Sequence, residues 1–196
     1  MSALRPALVL ITLFTVLLGL IFPLGLTGIA TSMVPHLAYG SLVERDGKVI
    51  GSSLIGQNFT SDRYFHPRPS ATTDTDPKDP SKTISVPYDA NSSGGSNLAP
   101  TSKALIDRVK GDVDSLGGGP LPSDMVTTSG SGLDPDISPG DAYRQIPRVA
   151  KARGIPDEHV RALVVQHIQG RLFGVFGESR VNVLELNLAL DALKVS

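Results

Sequence analysis

The stretch ALVLITLFTVLLGLIFPLGLTGIATSMV, residues 7–34, decides how the rest of the chain is read, because no Asp, Glu, Lys or Arg occurs between Arg5 and Glu44. As a helix rising about 1.5 Å per residue it reaches roughly 42 Å, beyond the ~30 Å hydrocarbon core of a bilayer. A helix buried in a soluble core would carry a polar stripe. Here the only hydroxyls are scattered Thr and Ser, which can bond back to the preceding turn. A cleaved signal peptide is the rival reading, with Met1–Arg5 as a basic head and Gly28-Ile29-Ala30 as a small-x-small cleavage site. The apolar run outlasts the about 7–15 residues of a signal h-region, which favours an uncleaved signal anchor. Basic residues nearly balance across the span, with Arg5 before it and Arg45 and Lys48 after it. Orientation therefore rests on the basic head, which places the tail outside the cytoplasm.

Working outward, the chain has 196 residues, a net charge of −1 and no cysteine. Neither nucleic acid nor an anionic surface is implied as a partner by charge, and disulfides, thiolate zinc sites and cysteine nucleophiles are excluded. The expected organisation is a short cytoplasmic terminus at 1–6, one transmembrane helix at 7–34 and a domain at 35–196, periplasmic in the orientation above. The fold class is an α+β extracytoplasmic domain with one N-terminal transmembrane helix, and with long loops at 60–100 and 116–138.

After Pro35, Asp46-Gly47 between short apolar runs signals a hairpin. Residues 60–100 are polar and without apolar period, which predicts an irregular loop or disorder, a docking surface or a tether. A helix is predicted at Thr101–Ser115, capped by Thr101, with Leu105, Val109 and Val113 on one face, and Gly117-Gly118-Gly119-Pro120 stops it. Ser138-Pro139 opens a second helix in the cap and first positions, where Pro147 predicts a kink or two short pieces. A third helix follows Ile155-Pro156, carries Val160, Leu163, Val164 and Ile168, and ends at Gly170. Leu172–Phe176 resembles a short strand. Residues 181–195 alternate like a strand at Leu184, Leu186, Leu188 and Leu190, yet keep helical spacing at Val183, Leu186, Leu190 and Leu193. Propensity and an Asn182 cap favour the helix.

No catalytic constellation assembles from these residues. The histidines are His36, His66, His159 and His167, and the last two are not at the spacing that sets two ligands on one helical turn. Asp74, Asp76 and Asp79 crowd a loop but lack the glycine and terminal glutamate of a calcium loop. SSGGSN and TTSGSG suggest phosphate cradles, yet neither is followed by Gly-Lys-Ser/Thr and no GxSxG surrounds Ser96, Ser129 or Ser131. They read as turns that need positive φ. Arg68 between two prolines, and Asp134-Pro135-Asp136, read as rigid loop corners.

The segments GSSLIGQNF (51–59), YFHPRPSA (64–71), SSGGSNLAP (92–100), VTTSGSGLDPDISP (126–139), RVAKAR (148–153) and VNVLELNLALD (181–191) occur in this order. In them the chain resembles the KdpC family, over essentially its whole length. The resemblance implies a small non-catalytic subunit of the Kdp potassium-transporting P-type ATPase in the bacterial inner membrane. Its implied partners are KdpA, which conducts potassium, KdpB, the phosphorylated ATPase, and KdpF, a short stabilising peptide, together with the lipid bilayer. It also implies a catalytic chaperone that raises the ATP affinity of KdpB. ATP is associated with this chain only through that family, and no cofactor of its own is expected. A domain outside the cytoplasm without a phosphate-binding lysine would have to act conformationally, by favouring one pump state.

Two further readings compete, an anchored hydrolase using Ser131 and Asp134, and a cap that delivers or gates potassium through backbone carbonyls of the glycine loops. The docking residues expected are of two kinds. Thr12, Thr15, Gly19 and Pro23 form a stripe on the span, continued by Thr27 and Ala30, along which another helix can approach closely. Gly94, Gly95, Ser96, Asn97, Ser129, Gly130, Ser131, Gly132 and Asp134 are expected to shape the loop surface.

Overall fold

The structure, a computed structural model, describes residues 3–193 and divides between Ser52 and Ser53 into two compact units. In the first, α1 (Leu4–Val16) and α2 (Phe22–Met33) join through one π-helical turn, Leu17–Ile21, into an apolar helix of 30 residues with no buried side chain. The turn has a local cause. Pro23 has no N–H to give the Gly19 carbonyl, and in the turn before it the ladder widens, so that the Phe22 N–H donates to the Leu17 carbonyl. The hydroxyls of Thr15, Thr31 and Ser32 donate to the carbonyls of Ile11, Thr27 and Ile29 at 2.7, 2.8 and 2.9 Å, which satisfies them within the helix. A short α3 (Pro35–Ala38) leads to β1 (Leu42–Arg45) and β2 (Lys48–Ser52), an antiparallel hairpin. Its Asp46-Gly47 turn has φ of 54° and 72°, the doubly positive geometry that this dipeptide accepts.

The second unit holds the hairpin β3 (Thr73–Asp76) and β4 (Asp79–Ser85), α4 (Lys103–Ser115), and a small antiparallel sheet. In that sheet β7 (Arg180–Asn182) lies between β5 (Asp136–Ile137) and β6 (Ile168–Gln169). On it pack α5 (Pro139–Arg153), α6 (Asp157–His167) and α7 (Val183–Ala192), around a core that includes Phe65, Ile137, Ile146, Val149, Val164, Val181 and Leu186. Ser138 caps α5 by accepting from the Asp141 N–H at 3.1 Å, and Asn182 caps α7 by accepting from the Glu185 N–H at 3.1 Å. Residues 194 and 195 of the predicted last helix lie outside the described residues.

The structure corrects several expectations. The polar segment 60–100 contains the β3–β4 hairpin, whose strands are largely exposed and therefore show no apolar alternation. Helix α4 starts at Lys103 with Ser102 as its cap residue, because the Ser102 N–H closes a turn on the Ala99 carbonyl at 2.9 Å and leaves Thr101 inside it. Helix α5 runs unbroken through Pro147, which sits on its exposed face while Ile146, Val149 and Ala150 are buried beside it. Packing on that face overrides the proline. Helix α6 stops at His167, because Ile168 is drawn into the sheet opposite Val181. Leu172–Phe176 is a tight turn rather than a strand. Leu172 and Phe176 exchange backbone hydrogen bonds of 2.9 and 3.0 Å around Phe173 and Gly174, both at positive φ.

Candidate functional site

The glycine-rich loops meet in one interlocked knot. The Gly94 N–H and the Ser93 hydroxyl both donate to the Ser131 carbonyl, at 2.8 and 3.0 Å. The buried Ser129 hydroxyl accepts from the Gly132 N–H at 2.8 Å, and the Ser131 hydroxyl accepts from the Leu133 N–H at 3.1 Å. From the other side, the Ser70 hydroxyl donates to the Gly132 carbonyl at 2.8 Å, and the Gly56 N–H donates to the Leu133 carbonyl at 2.8 Å. Gly132 has φ of 68°, and a Cβ on it would stand 2.6 Å from the Gly94 carbonyl oxygen and from Thr72 Cγ2. A Cβ on Gly95 would stand 3.1 Å from the Gly130 oxygen, whereas one on Gly130 meets nothing. Ser96 is half-buried, and Asn97, at φ of 52°, is exposed, as are Gly130 and Ser131.

Beside the knot, Arg68 Nη1 donates to Asp134 Oδ2 at 2.9 Å, and Asp134 Oδ1 accepts from the Asp136 N–H at 3.0 Å. The Tyr88 hydroxyl donates to the Arg68 carbonyl at 2.8 Å, and burial pushes its pKa upward, with the Asp134 charge adding to the shift. Gly94, Gly95, Ser129, Gly130, Ser131, Gly132 and Asp134 of the predicted loop residues are thus brought together, whereas among the described residues no hydrogen bond ties Ser96 or Asn97 to the knot. Thr12, Thr15, Gly19 and Pro23 belong to the first unit, where a Cβ on Gly19 would meet nothing. Among the described residues no group of three His, Cys, Asp or Glu side chains is placed to hold a metal.

Sequence reasoning missed the residues that hold the loops in place. The side-chain amide of Asn187 accepts from the Phe65 N–H at 2.8 Å and donates to the Phe65 carbonyl at 3.0 Å. Gln145 does the same to His66, at 2.7 and 3.0 Å. Two amides thereby clasp the YFHPRP segment as a neighbouring strand would. Arg148 donates to the carbonyls of Asp62 and Tyr64 at 2.9 and 3.0 Å, and Arg153 to the carbonyl of Arg63 at 2.6 Å and to Asp191 at 2.9 Å. Gly56 is a further such residue, since a Cβ there would lie 2.4 Å from Tyr88 Cε1. The signal available was the motif YFHPRPSA itself, and nothing in its composition names its partners.

The fold is thus of the class with one N-terminal apolar helix, long enough to cross a membrane, followed by a small α+β domain. The chain belongs to the KdpC family, whose profile, described as K+-transporting ATPase, c chain, matches residues 4–192. It is 62% identical over 194 residues to the potassium-transporting ATPase KdpC subunit of Methylobacterium nodulans, covering 97% of this chain and 96% of that one. The subunit of the same name from Methylorubrum populi is 57% identical over 197 residues, covering 98% of both. That from Bradyrhizobium diazoefficiens is 61% identical over 191 residues, covering 95% of both.

Proposed function

We propose that this chain is a non-catalytic, membrane-anchored subunit of a potassium-transporting ATPase, with its α+β domain on the periplasmic side of the inner membrane, assembling with KdpA, KdpB and KdpF. The observation that carries the reading is full-length similarity to chains named as KdpC subunits. The site chemistry supports a binding role. Ser131 and Asp134 are engaged by Leu133, Arg68 and Asp136, so neither is set up as a nucleophile or base toward the other. The carbonyls of Ser131, Gly132 and Leu133, which a potassium-capping role would use, already accept hydrogen bonds within the knot. Any effect on ATP affinity then acts through KdpB, by preferential contact with one pump state.

Topology tests the reading directly. Protease added to intact spheroplasts digests a tag placed after Ser196 if the domain is periplasmic. A tag protected until lysis overturns that placement.

A further inference from the structure

Between α4, α5 and the loops around Phe59, Arg68 and Tyr88 lies a cavity of about 800 Å³. That volume is typical of a small-molecule site, commonly about 300–1,000 Å³. Phe59, Tyr88, Leu116 and Met125 supply apolar wall, and Arg68, Arg108, Arg144 and Arg148 also line it, against the carboxylates of Asp112 and Asp141. Two of these arginines, Arg108 and Arg68, are incompletely satisfied. Arg108 gives Nη1 to Asp112 at 2.6 Å, and its Nε and Nη2 are buried with no acceptor. The Nε of Arg68 is likewise buried and unmatched. Arg144, exposed on α5, has no ion pair among the described residues. A buried charged donor without an acceptor is costly, and an oxygen anion entering the cavity would remove that cost.

Asp112, and Asp141 wherever it is ionised, limit how much negative charge the cavity tolerates, and the apolar side chains favour a ligand with a greasy body. We propose that this cavity binds an amphiphilic monoanion, one negatively charged oxygen headgroup on an apolar body. Its headgroup meets Arg108 and Arg144, and its body lies against Phe59, Tyr88, Leu116 and Met125. A soluble carboxylate and an anionic phospholipid share this chemistry. The site is made only of this chain's own residues, so it stands apart from the assembly proposed above.

The test uses the full chain in phosphatidylcholine nanodiscs and a photoreactive trifluoromethyl-diazirinyl benzoate, with labelled peptides located by mass spectrometry. Saturable labelling of the peptides containing Leu116 or Met125 is expected, competed by octanoate and not by octanol or inorganic phosphate. Arg108→Gln is expected to raise the half-saturating concentration about tenfold, roughly the worth of one charge-assisted hydrogen bond. It is also expected to leave the melting temperature unchanged or higher, since an unmatched buried donor is removed, whereas a purely structural Arg108 would give a lower one. If Arg108→Gln does not fold, Arg144→Gln on the exposed face carries the same expectation for labelling. Loss of labelling in nanodiscs containing phosphatidylglycerol identifies the lipid as the occupant, and retained labelling identifies the soluble carboxylate. Labelling that does not saturate, that octanol competes equally, or that neither arginine change weakens overturns the proposal.

Discussion

At the scale of single residues, the domain depends on side chains that act across long stretches of sequence. Asn187→Leu keeps the approximate volume but strands the N–H and C=O of Phe65 in the core, so a loss of about 2–5 kcal/mol is expected, read from urea unfolding of the full chain. Asp141 is expected to make stability depend on pH. It is 1% exposed, and burial pushes its pKa to about 7, although the Gln145 hydrogen bond opposes the shift. An acid whose folded value is raised contributes stability below its ordinary value of 3.8, and that contribution is lost as pH rises toward about 7. His66, lowered chiefly by burial and secondly by Arg148, acts in the opposite sense, costing stability as pH falls through its ordinary value of 6.5. Asp141→Asn is therefore expected to flatten the decline between about pH 4 and 7, measured as melting temperature against pH, and an unchanged profile would refute it. Two of the caps and one hairpin turn were legible because they are local, whereas the cap of α4 was misplaced by one residue. Ser138, Asn182 and Asp46-Gly47 each signal to residues within a few positions. Asn187 and Gln145 act on residues 122 and 79 positions away, and no short pattern announces that.

At the scale of elements, burial decided which patterns could be read. The stripes of α5, α6 and α7 face the core and were visible as period, whereas β3 and β4 bury almost nothing and left no trace in TDTDPKDPSKTIS. Pro147 misled for a related reason, since propensity is weaker than the packing of Ile146, Val149 and Ala150. The glycine loops were expected as turns at positive φ, which only Gly132 among their glycines adopts, and the knot they form was not legible. Gly132→Ala is expected to destabilise the domain by about 2 kcal/mol or more, through positive φ and the close approach to Gly94 and Thr72. Gly130→Ala, in open space, is expected to leave melting unchanged, which makes it the cleaner probe of docking. Equal melting temperatures for the two variants would show that the knot yields.

At the scale of the whole molecule, the apolar helix and the domain can be tested separately for a part in the assembly proposed above. The apolar helix was the most legible feature, and its π-helical turn before Pro23 the least, because only the freed Gly19 carbonyl hints at it. Gly19→Leu is expected to weaken co-purification with the pump subunits by ~1–2 kcal/mol, while Leu13→Ile does not. Equal retention of both in detergent, at matched expression, would mean that the span is only a tether. The amide clasps also dictate an order of events during biosynthesis. Phe65 leaves the ribosome long before Asn187, so the amide that holds its backbone groups is absent until α7 has been made. Closing so distant a contact is entropically slow, so the central segment is expected to stay open until the last helix of the chain has been made.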